Sequence, residues 1–335
     1  LAVDEQEITE LAFLMMIKNA LMNLPYGGAK GGIVVDPRAL TKSERERLTR
    51  TFVRALGKTV GPYTDVPAPD VNTSAETMDW FADEYGKMEG MYMPAVVTGK
   101  SIPKGGSRGR DSATGLGGVY VLEQFAKKMK WKPAESTIAI QGFGNVGGHI
   151  AHLLAVRGYR VVAVSNSRGG VFRESGFSAE ELARAQKEKT LPDGKGITNE
   201  SILTLPITAL VPAALSDQIT VRNAKNIRAR VILEMANAPT SAEADLILAR
   251  RGVVVIPDVL ANAGGVVVSY FEWLQNIKKQ SWSENRVEKK LREIMASAYK
   301  KIATRTQKEN ASMRTVAYEI AVGRIIKAER SRNRI

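Results

Sequence analysis

Two lysines, one aspartate and one spaced set of glycines are the residues of this chain whose type and setting could do chemistry. Lys30 stands among Gly27, Gly28, Gly31 and Gly32. Such a loop lets the backbone approach a small ligand closely while one amine projects into it. Lys18 precedes it in a helical pattern, on the same side as Leu11 and Met15. Two ammonium groups held near each other and partly desolvated depress each other's pKa, which turns a lysine into a usable base. Asp70 lies in a loop stiffened by Pro67 and Pro69; taken alone it reads equally well as a turn or cap residue. The only histidines, His149 and His152, fall inside one helix, placed like neither a general base nor a metal ligand. With no cysteine in the chain, disulfides and thiolate chemistry are excluded. Acid–base work must come from carboxylates and tuned lysines, and no metal site is expected.

The spaced glycines are Gly142, Gly144 and Gly147, with Phe143, Asn145 and Val146 between them. They sit between a β-branched run, Thr137 to Ile140, and a helical stretch, which turns a common pattern into a dinucleotide-binding turn. The first glycine makes the turn, the second admits the pyrophosphate and the third lets helix and strand pack, with phosphates on the helix N-terminus. The next strand should end in an acid for the ribose hydroxyls. Here it ends in Ser165-Asn166-Ser167-Arg168. Asn166 can bond a ribose without repelling a 2′-phosphate, and Arg168 could pair with one. Arg168 reads equally as a solvated turn residue. NAD or NADP is expected, with NADP or dual use favoured.

These residues need elements to position them. Asp4 and Glu7 have capping-box spacing, and helical periodicity predicts one amphipathic helix over 5–23. The glycine loop leads into a short strand, Ile33-Val34-Val35. Thr41 with Glu44 caps a helix running to about Gly57. The loop from Asp65 to Val71 and a second glycine loop, Gly105 to Arg110, complete the first region. From about residue 116, strands alternate with helices: Thr137–Ile140, Arg160–Val164, Ala209–Val211, Val231–Leu233 and Val253–Ile256. That alternation implies parallel pairing and a doubly wound sheet. From about residue 270 the pattern is helical only.

Composition sets the class. The 44% hydrophobic and 25% charged content is that of a globular chain with a real core. No apolar run approaches the roughly 18 residues that a membrane helix needs. The acidic start lacks a signal-peptide pattern, so a cytoplasmic protein without membrane partners is expected. The net charge of +13 raises the question of nucleic acid. The basic residues alternate with apolar ones, as on amphipathic helices, and no nucleic-acid signature accompanies them. A solvated basic surface that attracts anionic substrates is the reading kept.

In this setting the residues resemble the glutamate, leucine, phenylalanine and valine dehydrogenase superfamily, and within it the glutamate-specific members. The matching stretches, in family order, are Leu24 to Gly32, Pro67 to Val71, Gly105 to Arg110 with Ala113-Thr114-Gly115, Gln141 to Gly147, Ala236-Asn237, and Asn262 to Gly265 with Ser269 to Trp273. The resemblance implies that Lys30 is the catalytic lysine, activating the water that attacks the iminium carbon, and that Asp70 moves protons at the substrate nitrogen. It places Lys18 at the α-carboxylate and Arg110 and Ser269 at the substrate end, Ser269 toward the γ-carboxylate. Thr114, Asn145, Asn237 and Asn262 would contact the dinucleotide. Departures are Met15-Met16-Ile17 before Lys18, Ala238 after Ala236-Asn237, and Asn166 for an aspartate. Family members also carry a segment ahead of the Lys18 helix, with a further lysine for the γ-carboxylate and part of the assembly surface.

The expectation is therefore an α/β protein. A substrate and assembly domain (1–115, N-terminally incomplete) precedes a Rossmann-type dinucleotide-binding domain (116–268), and C-terminal helices (269–335) pack back on the first domain. The expected reaction is reversible NAD(P)-dependent oxidation of glutamate to 2-oxoglutarate and ammonium, in a homo-oligomer that is hexameric by resemblance. A dehydrogenase of apolar amino acids and a catalytically impaired dinucleotide-binding homologue are the alternatives.

Overall fold

The computed structural model describes residues 4–332, and the chain forms two compact units. Unit 1 comprises residues up to 19, 24–111 and 265–291; unit 2 comprises 20–23, 112–264 and 292 onward. Unit 1 holds most of α1 (Glu5–Leu21), with α2 (Lys42–Leu56) and α3 (Ala75–Glu89). It also takes α10 (Gly264–Ile277) from residue 265 onward and the start of α11 (Glu284–Glu309).

Asp4 Oδ1 accepts from the Glu7 amide at the start of α1. The far end of that helix, Ile17 to Leu21, and Met22 after it are buried residue after residue. The expected amphipathic stripe thus describes only the first turns. Thr41 and Glu44 form a full capping box on α2. Arg50 reaches from α2 to Asp83 at 2.6 Å and Glu84 at 3.2 Å. Beneath these ion pairs Val53, Met78, Phe81, Ala82 and Tyr85 make a core with Val96 and Val97.

The strand expected at Ile33-Val34-Val35 does not form. Among the described residues no strand lies beside it, and an unpaired run cannot satisfy its backbone as a sheet edge would. Val34 and Val35 are exposed instead.

Unit 2 is built on one seven-stranded sheet in the order β4-β3-β2-β1-β5-β6-β7. The strands are β1 (Thr137–Gln141), β2 (Arg160–Asn166), β3 (Gly169–Phe172), β4 (Lys195–Ile197), β5 (Ala209–Pro212), β6 (Val231–Leu233) and β7 (Val254–Ile256). β1 pairs in parallel with both β2 and β5, and β6 and β7 continue the parallel run. β3 and β4 are antiparallel additions that the sequence pattern missed. Asn166 pairs with Gly169, so Ser167 and Arg168 form a two-residue hairpin turn. Between strands come α5 (Asn145–Val156), α6 (Ala179–Glu188), α7 (Asn199–Leu203) and α8 (Ala242–Arg250), and α9 (Asp258–Ala261) follows β7. Before them lies α4 (Ala113–Lys128), and after them the rest of α11 and α12 (Met313–Ser331). Ala139, Ala163, Leu210 and Ile232 pack with Ile202, Ile227 and Leu248 in the sheet core.

The C-terminal helices do not go to unit 1 as a block: the boundary falls at 291/292, inside α11, and α12 belongs to unit 2. No described helix is long and apolar enough to cross a membrane.

Candidate active site

In unit 1 the glycine loop is docked on α1. A Cβ at Gly28 would lie 2.3 Å from both the Ala12 carbonyl oxygen and the Met16 amide nitrogen, so only glycine permits the approach. Asn19 Nδ2 donates to the Gly27 carbonyl at 2.6 Å and fixes the loop's entry. Lys18, beside Asn19 on that helix, is buried.

Lys30 Nζ donates to Asp70 Oδ2 as a direct ion pair. Burial pulls the Lys30 pKa below the usual amine range, while Glu7 opposes the shift. Desolvation, one half of the expected cause, is the largest part of that shift. Lys30 is well covered and the Asp70 carboxylate remains half exposed, which suits a buried base in exchange with a more accessible acid.

Asp70 is held from several sides. Its amide donates to Thr73 Oγ1 at 2.6 Å, and Asp70 Oδ1 accepts from the Val71 amide at 2.8 Å. The Thr98 amide donates to the Pro67 carbonyl at 2.9 Å. A Cβ on Gly99 would sit 2.4 Å from Pro69 Cδ. The segment after Val97 thus braces the proline loop.

Arg110 Nε donates to Ser269 Oγ at 3.1 Å. Among the described residues this is the only hydrogen bond of the Arg110 side chain, so both Nη atoms are left for an anion. Burial lowers the Arg110 pKa from its usual value, against Glu272 and Asp111.

Sequence reading missed the residues beneath. Lys100 Nζ and Glu272 Oε1 are 2.7 Å apart with both side chains fully buried. Glu272 also accepts from the Gly99, Lys100 and Ser107 amides at 3.0, 3.3 and 3.3 Å. The signal was present: a lone carboxylate in the apolar helix α10, one turn after Ser269. Tyr26 packs edge-on against Tyr270 and Trp273, which stack on each other, with ring centroids 5.6–6.0 Å apart.

In unit 2 the glycine turn follows β1, where the strand order reverses between β2 and β5. That is the place at which open α/β sheets bind ligands. A Cβ at Gly147 would lie 1.7 Å from the Gly142 carbonyl oxygen, whereas one at Gly144 would meet nothing within 4 Å. Gly147 closes the helix onto the strand and Gly144 leaves space above it. No side chain caps α5, which starts at Asn145 and Val146, so its first amides suit a pyrophosphate. Asn262 is buried, donates through Nδ2 to Asn237 Oδ1 at 3.0 Å and leaves its Oδ1 without a donor. A ligand N–H or O–H would satisfy that oxygen. Thr114 lies half-buried in the first turn of α4. These features fit a dinucleotide.

The ribose end is the β2–β3 turn. Asn166 Oδ1 accepts from the Arg168 amide at 2.9 Å, and the Asn166 carbonyl from Asn199 Nδ2 at 3.0 Å. A cavity of about 560 Å³ opens there, lined in part by Asn166, Arg168, Thr190 and Thr198. His149 and His152 are tied to backbone carbonyls of Asn145 and Ala179 at 2.8 and 3.1 Å, as helix residues would be.

Residues 1–87 match the model of the Glu/Leu/Phe/Val dehydrogenase dimerisation domain, and residues 105–333 that of the glutamate/leucine/phenylalanine/valine dehydrogenase domain. The chain is 46% identical to a glutamate dehydrogenase of Thermotoga maritima, over 97% of this chain and 80% of that protein. It is 42% identical to an NADP-specific glutamate dehydrogenase of Synechocystis over 97% and 79%. It is 43% identical to an NAD-specific one of Staphylococcus aureus over 98% and 80%. The leucine-bound hetero-hexameric glutamate dehydrogenase of Thermus thermophilus superposes with a TM-score of 0.93, at 34% identity over 98% of this chain and 79% of that one. Two matched domain models in sequence, near-complete coverage and the doubly wound sheet with its glycine turn agree: the chain belongs to the glutamate/leucine/phenylalanine/valine dehydrogenase family.

Proposed function

We propose that this chain catalyses the reversible oxidative deamination of L-glutamate: glutamate, oxidised dinucleotide and water give 2-oxoglutarate, ammonium, reduced dinucleotide and a proton. The observation that carries the reading is the Lys30–Asp70 pair, a desolvated amine bonded to a half-exposed carboxylate on two constrained loops. Names of relatives at 42–46% identity support the substrate. Unit 1 is read as the substrate and assembly unit and residues 112–264 as the dinucleotide-binding part.

When bound, the dinucleotide accepts the hydride from the glutamate α-carbon. Lys18 holds the α-carboxylate, and Arg110 with Ser269 takes the far carboxylate through the free Nη atoms and the hydroxyl. Asp70 removes a proton from the substrate nitrogen as the iminium forms. Lys30, once in its neutral form, which burial favours, takes a proton from the water that attacks the iminium carbon. Asp70 then returns a proton to the carbinolamine nitrogen; as the C–N bond breaks and the hydroxyl becomes the carbonyl, the hydroxyl proton goes to the departing ammonia, which leaves as ammonium, and the proton held by Lys30 passes to solvent. Thr114, Asn145, Asn237 and Asn262 seat the dinucleotide, with its pyrophosphate on the turn from Gly142 through Gly144 and Val146 to Gly147.

Asn166 and Arg168 set the cofactor range. With no carboxylate at the end of β2 and an arginine in the turn, NADP is accepted alongside NAD. The protein assembles as a homo-oligomer, a hexamer by analogy with the Thermus protein. The matched dimerisation domain and the exposed Phe13, Val34 and Val35 of unit 1 support assembly.

Initial rates with glutamate, leucine and phenylalanine at saturating NAD and NADP test the reading. Glutamate should exceed the apolar amino acids by about tenfold or more, the effect of about 1.4 kcal/mol in transition-state binding. Faster turnover of leucine or phenylalanine would assign the chain to the apolar branch instead.

A further inference from the structure

Arg314, in the first turn of α12, extends into three carboxylates of unit 2. Its Nε lies 2.8 Å from Asp245 Oδ2, its Nη2 2.7 Å from Glu234 Oε1 and its Nη1 3.5 Å from Asp258 Oδ1. Glu234 is fully buried and Asp258 nearly so. Two buried carboxylates this close would repel and shed their charge without a cation between them. Burial does push the Glu234 carboxyl above the usual range, with Arg314 pulling the other way.

The carboxylates lead elsewhere. Glu234 Oε2 accepts from the Asp258 amide at 3.0 Å, and Asp258 Oδ2 accepts from the Ala238 amide at 2.9 Å. Ala238 has φ +42°, a left-handed conformation that an alanine adopts only under constraint. The residue before it is Asn237, whose Oδ1 accepts from Asn262 Nδ2. The Asn262 amide in turn donates to the Asp258 carbonyl at 3.0 Å. Asp258 thus touches both sides of the asparagine pair, and Arg314 is the cation facing it.

We propose that Arg314 is a positioning residue for the dinucleotide: through Glu234 and Asp258 it holds the Asn237–Ala238 turn and Asn262 so that the unpartnered Asn262 Oδ1 faces the ligand. This rests on the reading that Asn262 contacts the dinucleotide. It gives the C-terminal helix a part in cofactor binding although, among the described residues, the Arg314 side chain makes its hydrogen bonds and ion pairs to Glu234, Asp245 and Asp258 and not to the residues assigned to the cofactor.

The test is a double-variant cycle on the full chain, with NADPH and NADH dissociation constants measured by fluorescence and melting temperatures in parallel. Arg314→Met should weaken binding by about tenfold, raise KM for the dinucleotide and leave KM for glutamate unchanged at saturating cofactor. Asn262→Ala should weaken binding similarly, and the double variant should be no weaker than Asn262→Ala alone, because one acts through the other. Ala238→Gly, which relieves the strained turn, should restore part of the affinity that Arg314→Met loses. If Arg314→Met does not fold, Arg314→Lys keeps the charge but loses the three-way fork, and should weaken binding by about threefold.

Additive losses in the double variant, or unchanged affinity in a folded Arg314 variant while Asn262→Ala weakens binding, would overturn the proposal alone. Unchanged affinity in Asn262→Ala would overturn the underlying reading and the proposal with it.

Discussion

Glu272 Oε1 lies 2.7 Å from Lys100 Nζ, with neither side chain exposed to solvent. The same carboxylate accepts from the Gly99 amide, and Gly99 abuts Pro69, next to Asp70. One turn earlier on α10 is Ser269, bonded to Arg110. A single buried ion pair therefore underlies both the loop of the candidate acid and the candidate carboxylate-binding group.

Breaking that pair from one side should be costly. Glu272→Gln leaves the Lys100 ammonium buried without its counter-charge, and a loss of about 3–5 kcal/mol is expected. The double variant Lys100→Met with Glu272→Gln removes the stranded cation while the amide oxygen still accepts from the backbone. It should be less destabilised than Glu272→Gln alone. Denaturant midpoints of the double variant and of the singles Glu272→Gln and Lys100→Met decide it, and a double variant worse than either single would contradict the assignment.

The Lys30 assignment has a pH signature. Turnover needs the neutral amine, so kcat/KM for glutamate should rise as pH passes upward through the Lys30 pKa. Burial holds that pKa below the amine's ordinary value of about 10.4, so the rising limb should lie below it. Glu7 favours the charged form; Glu7→Gln should therefore move the limb to lower pH. A limb that stays in place or moves upward in that variant would break the link.

Glycine substitutions separate contact from composition. Gly28→Ala forces a methyl group into the α1 backbone, which should cost about 1–3 kcal/mol and displace Lys30 from Asp70. Gly27→Ala meets nothing within 4 Å and should be nearly neutral. Equal effects in melting temperature and glutamate turnover would mean that the loop is not docked as described.

The cofactor range is open to one conservative change. Asn166 Oδ1 already accepts from the Arg168 amide, so an aspartate can keep that bond and add only a charge. Asn166→Asp should shift preference toward NAD by about tenfold, the effect of about 1.4 kcal/mol. Arg168→Ala should weaken NADP and spare NAD. A wild-type protein that uses NAD alone, with Arg168→Ala silent, would place the determinant elsewhere.

Much of this was legible in the residues, for reasons that differ by element. The glycine turn and its strand were readable because period and spacing are local. Thr41 with Glu44 was readable because a capping box spans only four residues. Ile33–Val35 misled because a β-branched run shows strand propensity but not whether a partner strand exists. The hairpin β3–β4 was hidden by its glycines, which carry little strand signal. Lys100–Glu272 and the Arg314 cluster were invisible because their partners are far apart in sequence. The one hint was Glu272, a lone charge in the apolar α10. The extent of desolvation at Lys30 was hidden for a related reason: burial is a tertiary property.

The most direct measurement follows the near-ultraviolet absorbance of reduced dinucleotide on adding glutamate to the wild-type protein and to Lys30→Ala, with dinucleotide affinity measured alongside. Loss of a general base should lower kcat by about 100-fold or more, while dinucleotide affinity, assigned above to residues of unit 2, should change by less than about twofold. A Lys30→Ala protein that turns glutamate over at a rate near wild type, or that loses dinucleotide binding in step with turnover, would contradict the role given to Lys30.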